Sequence, residues 1–212
     1  MATTSEDGGS SLSTFSVSRS FDPGRAPSNE DCPFCVIAKT YQPFDPSNPP
    51  ENSHEILRPE ATSPGPATFI LLSTPLLVAF LDILPLSTGH LLLCPRAHRP
   101  KLTDVTPEES QALGHYLRIL SAAVTRATGV EDWNVVQNNG AAAAQVVHHM
   151  HFHVIPRPEL NVRNGGSGRE TFTATMFGRG AREELDEDTA TRLAEDIRAS
   201  VAEILREEKS KL

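Results

Sequence analysis

The sequence predicts an α+β fold: a five-stranded antiparallel sheet, one long helix in mid-chain and another near the C-terminal end. Three observations carry that expectation. Short apolar runs recur between clusters of turn residues, as strands do. Two longer stretches repeat apolar residues at helical spacing. Tight turns join neighbouring strands while helices fall between blocks of strand, the order of an antiparallel sheet with helices packed against it.

The elements follow in order. Residues 1–30 are rich in Ser, Thr and Gly. Such a segment buries too little apolar surface to offset its ordering entropy, so a disordered tail is expected. A domain is expected over 31–160, opened by Cys32-Pro33-Phe34-Cys35. Residues 40–66 hold Pro43, Pro46, Pro49, Pro50, Pro59, Pro64 and Pro66, too many for an element interior, and read as a long surface insertion. Phe69–Leu72 and Leu76–Asp82 are expected as strands about the turn Ser73-Thr74-Pro75, and Gly89–Cys94 as a third ended by Pro95. Thr106 is a candidate N-cap, Pro107 takes the first helical position and Glu109 completes a capping box. Leu113, Tyr116, Leu117, Leu120 and Val124 continue at helical spacing until Gly129. Trp133–Gln137 and Val146–Ile155 read as the fourth and fifth strands. Residues 161–212 read as an extension: a loop at Gly165-Gly166-Ser167-Gly168, then a helix from about Asp188 to Arg206 with Leu193, Ile197, Val201, Ile204 and Leu205 on one face.

Composition narrows the function. The 212 residues carry 19 Lys and Arg against 27 Asp and Glu, a net charge of −8. No basic footprint marks a nucleic-acid binder, and no apolar run reaches the ~18–20 residues of a membrane span. Neither nucleic acid nor membrane is therefore expected as a partner. The first residues lack the basic and apolar regions of a secretory signal, and three cysteines cannot complete a disulfide framework. A reducing compartment, cytoplasmic and/or nuclear, is expected. A mitochondrial transit reading draws on the serines with Arg19 and Arg25 and is opposed by Glu6 and Asp7. Cys32 and Cys35 read as a metal or redox pair, and Cys94, within an apolar run, as a core residue.

The informative segment is His149-Met150-His151-Phe152-His153-Val154-Ile155. On a strand, side chains alternate between faces. Met150, Phe152 and Val154 would pack into the core while three imidazoles line the other face at about 6.6–7 Å spacing. Imidazole can serve as nucleophile, proton carrier or metal ligand near neutral pH. The preceding loop, Gln137 to Gln145, is rich in small residues, which let backbone approach a ligand, and its amides can donate to phosphate oxygens. Gln145, four residues before His149, can reach over the same site.

This run resembles the signature of the histidine triad (HIT) superfamily, and the likeness extends to Leu81–Pro85, Gly89–His98 and Leu102–Glu109. The resemblance implies a HIT-like fold and a nucleotide hydrolase that attacks an α-phosphorus through a nucleotidyl-histidine, with no metal in the chemical step. It implies His151 as nucleophile, His153 with Gln145 as phosphate contacts, Asn138 on the phosphate and sugar, Asp82 on the ribose hydroxyls and Ile83 against the purine. It also implies a structural zinc on Cys32, Cys35, His98 and His149; a catalytic metal on the three triad histidines is the rival assignment. Val146 departs from the pattern, standing where the phosphoramidase branch usually has a hydroxyl residue. The intact His153 favours hydrolysis over transfer, and the acidic segment after 160, without Cys or His, argues against a DNA-end deadenylase. The expected substrate is a purine (AMP-type) phosphoramidate or a dinucleoside polyphosphate; a non-catalytic nucleotide- or zinc-binding adaptor is the alternative. The apolar face of the 107–127 helix and the strand from Trp133 exceed what one small sheet covers. With the family's two-fold pairing, a homodimer is expected.

Overall fold

The computed structural model describes residues 32–57, 68–158 and 185–211. Five strands form one sheet: β1 (Ile70–Ser73), β2 (Leu77–Leu81), β3 (Leu91–Pro95), β4 (Trp133–Gln137) and β5 (Phe152–Pro156). Their spatial order is β1-β2-β3-β5-β4, and every neighbouring pair is antiparallel. Among the described residues three α-helices accompany them: α1 (Pro33–Thr40), α2 (Pro107–Thr128) and α3 (Glu187–Lys209). The expected tail over 1–30 and the glycine loop at 165–168 lie outside the described residues, as do 58–67 of the proline-rich insertion.

The central strands are buried on both faces. Leu77, Ala79, Leu81, Leu91, Leu93 and Val154 join Leu113, Leu120 and Val124 of α2 and Leu193, Ile197 and Val201 of α3 in the larger core. The alternate residues Val78, Phe80, Leu92 and Cys94 pack with Phe34, Cys35 and Ala38 of α1. His153 is paired with Leu92, so period-two alternation puts it on the α1 face. Helices α2 and α3 thus cover one face of the sheet, and α1 and His153 lie on the other.

Three differences from the sequence expectation have physical causes. The fifth strand begins at Phe152 rather than Val146. The Met150 N–H leaves the ladder for Arg99 O at 2.5 Å and the His149 N–H turns back to Val147 O at 2.8 Å. Alternation survives nonetheless: Met150 and Val154 are fully buried and Phe152 packs on the same core. Second, the C-x-x-C opens a helix of 8 residues, with Cys32 as N-cap and Pro33 in its first turn. Third, apolar surface of α2 packs against α3, with which it shares the larger core. The described part of the insertion, 40–57, is pinned to the sheet and to α3. Phe44 N–H donates to Ser73 O at 2.8 Å. The buried Arg198 of α3 donates to Ile70 O at 2.6 Å and to the Asn52 side chain.

The N-terminus of α2 ties the helix to the site. Thr106 accepts from Glu109 N–H at 3.1 Å, and the Glu109 carboxylate accepts from Thr106 N–H at 2.7 Å. That carboxylate also receives Arg99 Nε–H at 3.0 Å, and Arg99 is the residue whose carbonyl holds Met150. A capping box worth about 1 kcal/mol to the helix therefore also orients the segment between two triad histidines.

Gly89, ahead of β3, adopts φ +86°, and a Cβ there would lie 2.8 Å from Thr128 Cγ2 and 2.9 Å from Val124 Cγ2. Gly89→Ala adds left-handed backbone strain to overpacking and should cost roughly 2–4 kcal/mol in urea unfolding. A change under about 0.5 kcal/mol would show that the strand–helix contact is not this tight.

Candidate active site and metal centre

His149 is fully buried. Its Nε2 lies 2.8 Å from Pro95 O, an atom that can only accept, so Nε2 carries the proton and Nδ1 presents a lone pair. That lone pair faces Cys32 Sγ at 3.4 Å and Cys35 Sγ at 3.5 Å, and His98 Nδ1 lies 3.3 Å from Cys35 Sγ. The donor atoms of Cys32, Cys35, His98 and His149 all fall within 4.8 Å of one another, a group that can hold a metal ion. The spacing suits a tetrahedral ion: bonds of about 2.3 Å to sulfur and about 2.05 Å to nitrogen put S and N about 3.6 Å apart. Burial and the neighbouring Cys32 push the Cys35 thiol up to about 11, and burial holds His149 down to about 4. A neutral imidazole is the ligand form, and a divalent cation reverses the thiol's preference by deprotonating it. The Pro95 carbonyl fixes the tautomer, as outer partners of metal-binding histidines commonly do.

His151 is placed by the same residue. Its Nδ1 is 2.6 Å from His149 O, so Nδ1 donates and Nε2 keeps its lone pair. Phe34 stands edge-on to both rings, its centroid 5.8 Å from that of His149 and 5.1 Å from that of His151. Burial lowers the His151 pKa below the ordinary imidazole value, with the His149 carbonyl opposing. The His153 ring is 4.8 Å from the His151 ring.

His153 is oriented by His90, a residue that sequence reasoning did not single out. His90 Nδ1 accepts the Leu86 N–H at 3.1 Å, so its Nε2 donates to His153 Nδ1 at 3.0 Å. His153 then carries its proton on Nε2. Asp82 Oδ2 stands 3.4 Å from His90 Nδ1, and Asp82 Oδ1 accepts the Leu84 N–H at 3.0 Å. His90, just before β3, thus links to His153 of β5, with Asp82 after β2 beside them. A polar residue at the mouth of the apolar run Leu91-Leu92-Leu93 was the available signal.

The remaining candidates surround these rings. Ile83 and Leu84 are exposed beside Asp82. Asn138 begins the loop after β4, one residue beyond Gln137, which is paired with Phe152. Gln145 is buried, and its amide turns into the loop. It donates to Pro100 O at 2.7 Å and Val147 O at 3.0 Å and accepts Gly140 N–H at 2.6 Å. Its visible work is to brace the loop that Asn138 opens. Ala144 in that loop adopts φ 62°, a left-handed conformation unusual for alanine that the bracing holds in place.

A family model described as the HIT domain matches residues 66–160. A HIT-like protein of Mycobacterium tuberculosis is 38% identical over 120 residues, covering 53% of this chain and 81% of that protein. The chain belongs to the HIT family. An adenylylsulfatase of Arabidopsis thaliana is 43% identical over 82 residues, 39% of this HIT chain and 42% of its own. An adenosine 5′-monophosphoramidase of Schizosaccharomyces pombe is 43% identical over 88 residues, 42% of this chain and 63% of its own. The chain therefore spans less than two thirds of those two relatives. Among solved structures, a zinc-bound histidine triad family protein of Mycobacterium smegmatis matches with TM-score 0.54 at 24% identity, over 84% of this chain and 97% of its own. A histidine triad nucleotide-binding protein of Sulfolobus tokodaii matches with TM-score 0.53 at 21% identity, over 65% and 85%. These two likenesses bear on the HIT fold.

Cys32→Ser and His98→Ala should each strip about one metal ion per chain from this HIT protein and lower its melting temperature, since a closed four-ligand site contributes to folding. His151→Ala should leave metal content and melting temperature nearly unchanged. Elemental analysis with calorimetry checks this; equal metal loss in His151→Ala would move the ion onto the triad.

Proposed function

We propose that this chain is a nucleotide hydrolase that cleaves AMP-type purine substrates at the α-phosphorus through a nucleotidyl-histidine. One observation carries the reading: the His149 carbonyl takes the Nδ1 proton of His151, which leaves Nε2 as a nucleophile beside a second, oriented imidazole. The relatives named phosphoramidase and adenylylsulfatase support a hydrolase of this kind.

The reaction follows from the tautomers. His151 Nε2 attacks phosphorus, forming a P–N bond while the bond to the leaving group breaks and its electron pair departs with that group. His153 Nε2–H donates to a non-bridging oxygen, where charge grows in the transition state. Water then attacks the phosphorus, the P–N electron pair returns to His151 Nε2, one water proton stays on the new phosphate oxygen while the other passes to solvent, and AMP leaves with His151 restored. Asp82 suits the ribose hydroxyls because a carboxylate accepts two hydrogen bonds at once. Ile83 offers the purine an apolar surface, and Asn138 an amide to the phosphate and sugar. Gln145 acts as a positioning residue by holding the loop.

Zinc is the ion that Cys32, Cys35, His98 and His149 would hold. Two thiolates and two imidazoles would leave such an ion no open position, so it would cross-link α1 to the triad segment rather than act as a Lewis acid. The chemical step is assigned to the histidines. A second copy of the chain is the proposed partner. β4 is an edge strand of the sheet, and Trp133 and Val135 are 43% and 44% exposed on it. Edge-to-edge pairing of two β4 strands would bury them. Light scattering at micromolar concentration should give a dimer, and a monomer would contradict the pairing.

His151→Ala should abolish AMP release from a phosphoramidate and from adenosine 5′-phosphosulfate while AMP binding persists. Residual turnover within about tenfold of wild type, a barrier change of only ~1.4 kcal/mol, would rule out covalent catalysis. The pH profile has a definite sign. Only neutral His151 attacks, and burial lowers its pKa, so the neutral form persists to more acidic pH. The acid limb of kcat/KM should lie below the ordinary imidazole value of about 6.5; a limb at or above it would contradict the buried nucleophile.

A further inference from the structure

We propose that Cys35 is an oxidation site: a hydroperoxide that reaches it through a pocket beside α1 converts the Cys32–Cys35 pair into a disulfide and expels the metal ion. The inference goes beyond the hydrolase reading and rests on the metal centre alone.

The four candidate ligands are not equally enclosed. Cys32 and His149 are fully buried. Cys35 is 5% exposed, and with the half-buried His98 it lines a pocket of about 240 Å³. Ala38, Arg96 and the exposed Lys39 complete the lining, and Cys32 has no part in it. Arg96 is committed to the walls. It donates to Thr74 O and Tyr41 O, each at 2.6 Å, and also to Ala38 O and Ser73 Oγ. Backbone of α1 and of the β1–β2 turn therefore fixes the pocket's shape. Hydrogen peroxide is little larger than water, whose share of liquid volume is about 30 Å³, so the pocket admits it. A small oxidant meets Cys35 first, with Cys32 sealed behind.

The two sulfurs are placed to pair. Cys32 caps α1 and Cys35 lies in its first turn, and Cys32 O accepts the Val36 N–H at 3.1 Å, which fixes the backbone between them. Both sulfurs approach one atom, His149 Nδ1, at 3.4 and 3.5 Å, and the two thiols hydrogen-bond each other. An S–S bond of about 2.05 Å is then within reach of side-chain rotation. Cys94, the third buried thiol, stands on β3 outside this group. Burial pushes the Cys35 thiol up and the Lys39 charge opposes it, while a bound divalent ion removes the proton outright, so the pair meets the oxidant as thiolates. The Cys35 thiolate attacks one peroxide oxygen: an S–O bond forms, the O–O bond breaks, and hydroxide leaves with the electron pair. The Cys32 thiolate then attacks the Cys35 sulfur, the S–O bond breaks, and a second hydroxide leaves. Two thiolates are oxidised by two electrons in all, and the peroxide is reduced to two hydroxides. A disulfide offers no thiolate, so the ion keeps only the imidazoles and departs, and α1 loses its tie to His149.

The test exposes the purified, zinc-loaded protein to hydrogen peroxide. It reads zinc release with a chromogenic chelator, disulfide formation by peptide mass spectrometry, and melting temperature. About one zinc ion should be released for each Cys32–Cys35 disulfide, by the four-ligand count of a closed site, and the melting temperature should fall with it. Dithiothreitol with added zinc should restore both. Dimedone present during a brief exposure should mark Cys35 and spare Cys32, and Cys94→Ala should release zinc as wild type does. Zinc retained and both thiols still reduced, at a peroxide dose that oxidises a short dithiol peptide, would overturn the proposal. A disulfide to Cys94, or dimedone on Cys32, would overturn it equally. A protein that takes up no zinc removes the metal centre and this inference with it, and leaves the hydrolase reading to its own test.

Discussion

The structure depends on how one buried imidazole, His149, is satisfied. Its Nε2–H goes to the Pro95 carbonyl at the end of β3, its Nδ1 lone pair goes to two sulfurs at the start of α1, and its own carbonyl takes the Nδ1 proton of His151. A fully buried polar ring without partners would cost a few kcal/mol, so the three contacts hold or fail together. Residues that fasten α1 to the sheet and residues suited to chemistry are therefore two positions apart on one chain. His149 serves the fold, and His151 presents its lone pair because the peptide of His149 cannot turn.

The sheet divides the remaining work. Its helix-covered face holds the large core, fastened by the cap of α2 and by the buried Arg198 of α3. Its other face holds α1, the cysteines and the imidazoles. His153 is held in register between Leu92 and Val136, and its tautomer is set by His90 from the neighbouring strand. The loop from Asn138 is anchored at both ends, by β4 and by the Gln145 amide.

Much of this was legible in the sequence because alternation and capping are local. Thr106, Pro107 and Glu109 mark the start of α2, and Gly129 its end, as the structure has them. Met150 and Val154 are buried against the core, as alternation requires. Alternation could not say where β5 starts, because Met150 keeps an extended direction while its N–H bonds to Arg99 outside the ladder. Other features are tertiary. The 8-residue α1 is too short to show a period, and its cysteines meet His98 and His149 across more than sixty residues. His90 looks like an ordinary strand residue until β3 pairs with β5. The amphipathic face of α3 was plain, but that α2 would receive it was not.

The account's central claim is that metal and chemistry are separate sites meeting at His149. X-ray absorption at the metal edge of the purified protein, with and without AMP, tests it most directly. The account predicts about two sulfur and two nitrogen neighbours, by the four-ligand rule for a closed site, unchanged by AMP and by His151→Ala. A shell of nitrogen and oxygen without sulfur, or one that changes when AMP binds, would put the metal on the triad and contradict it.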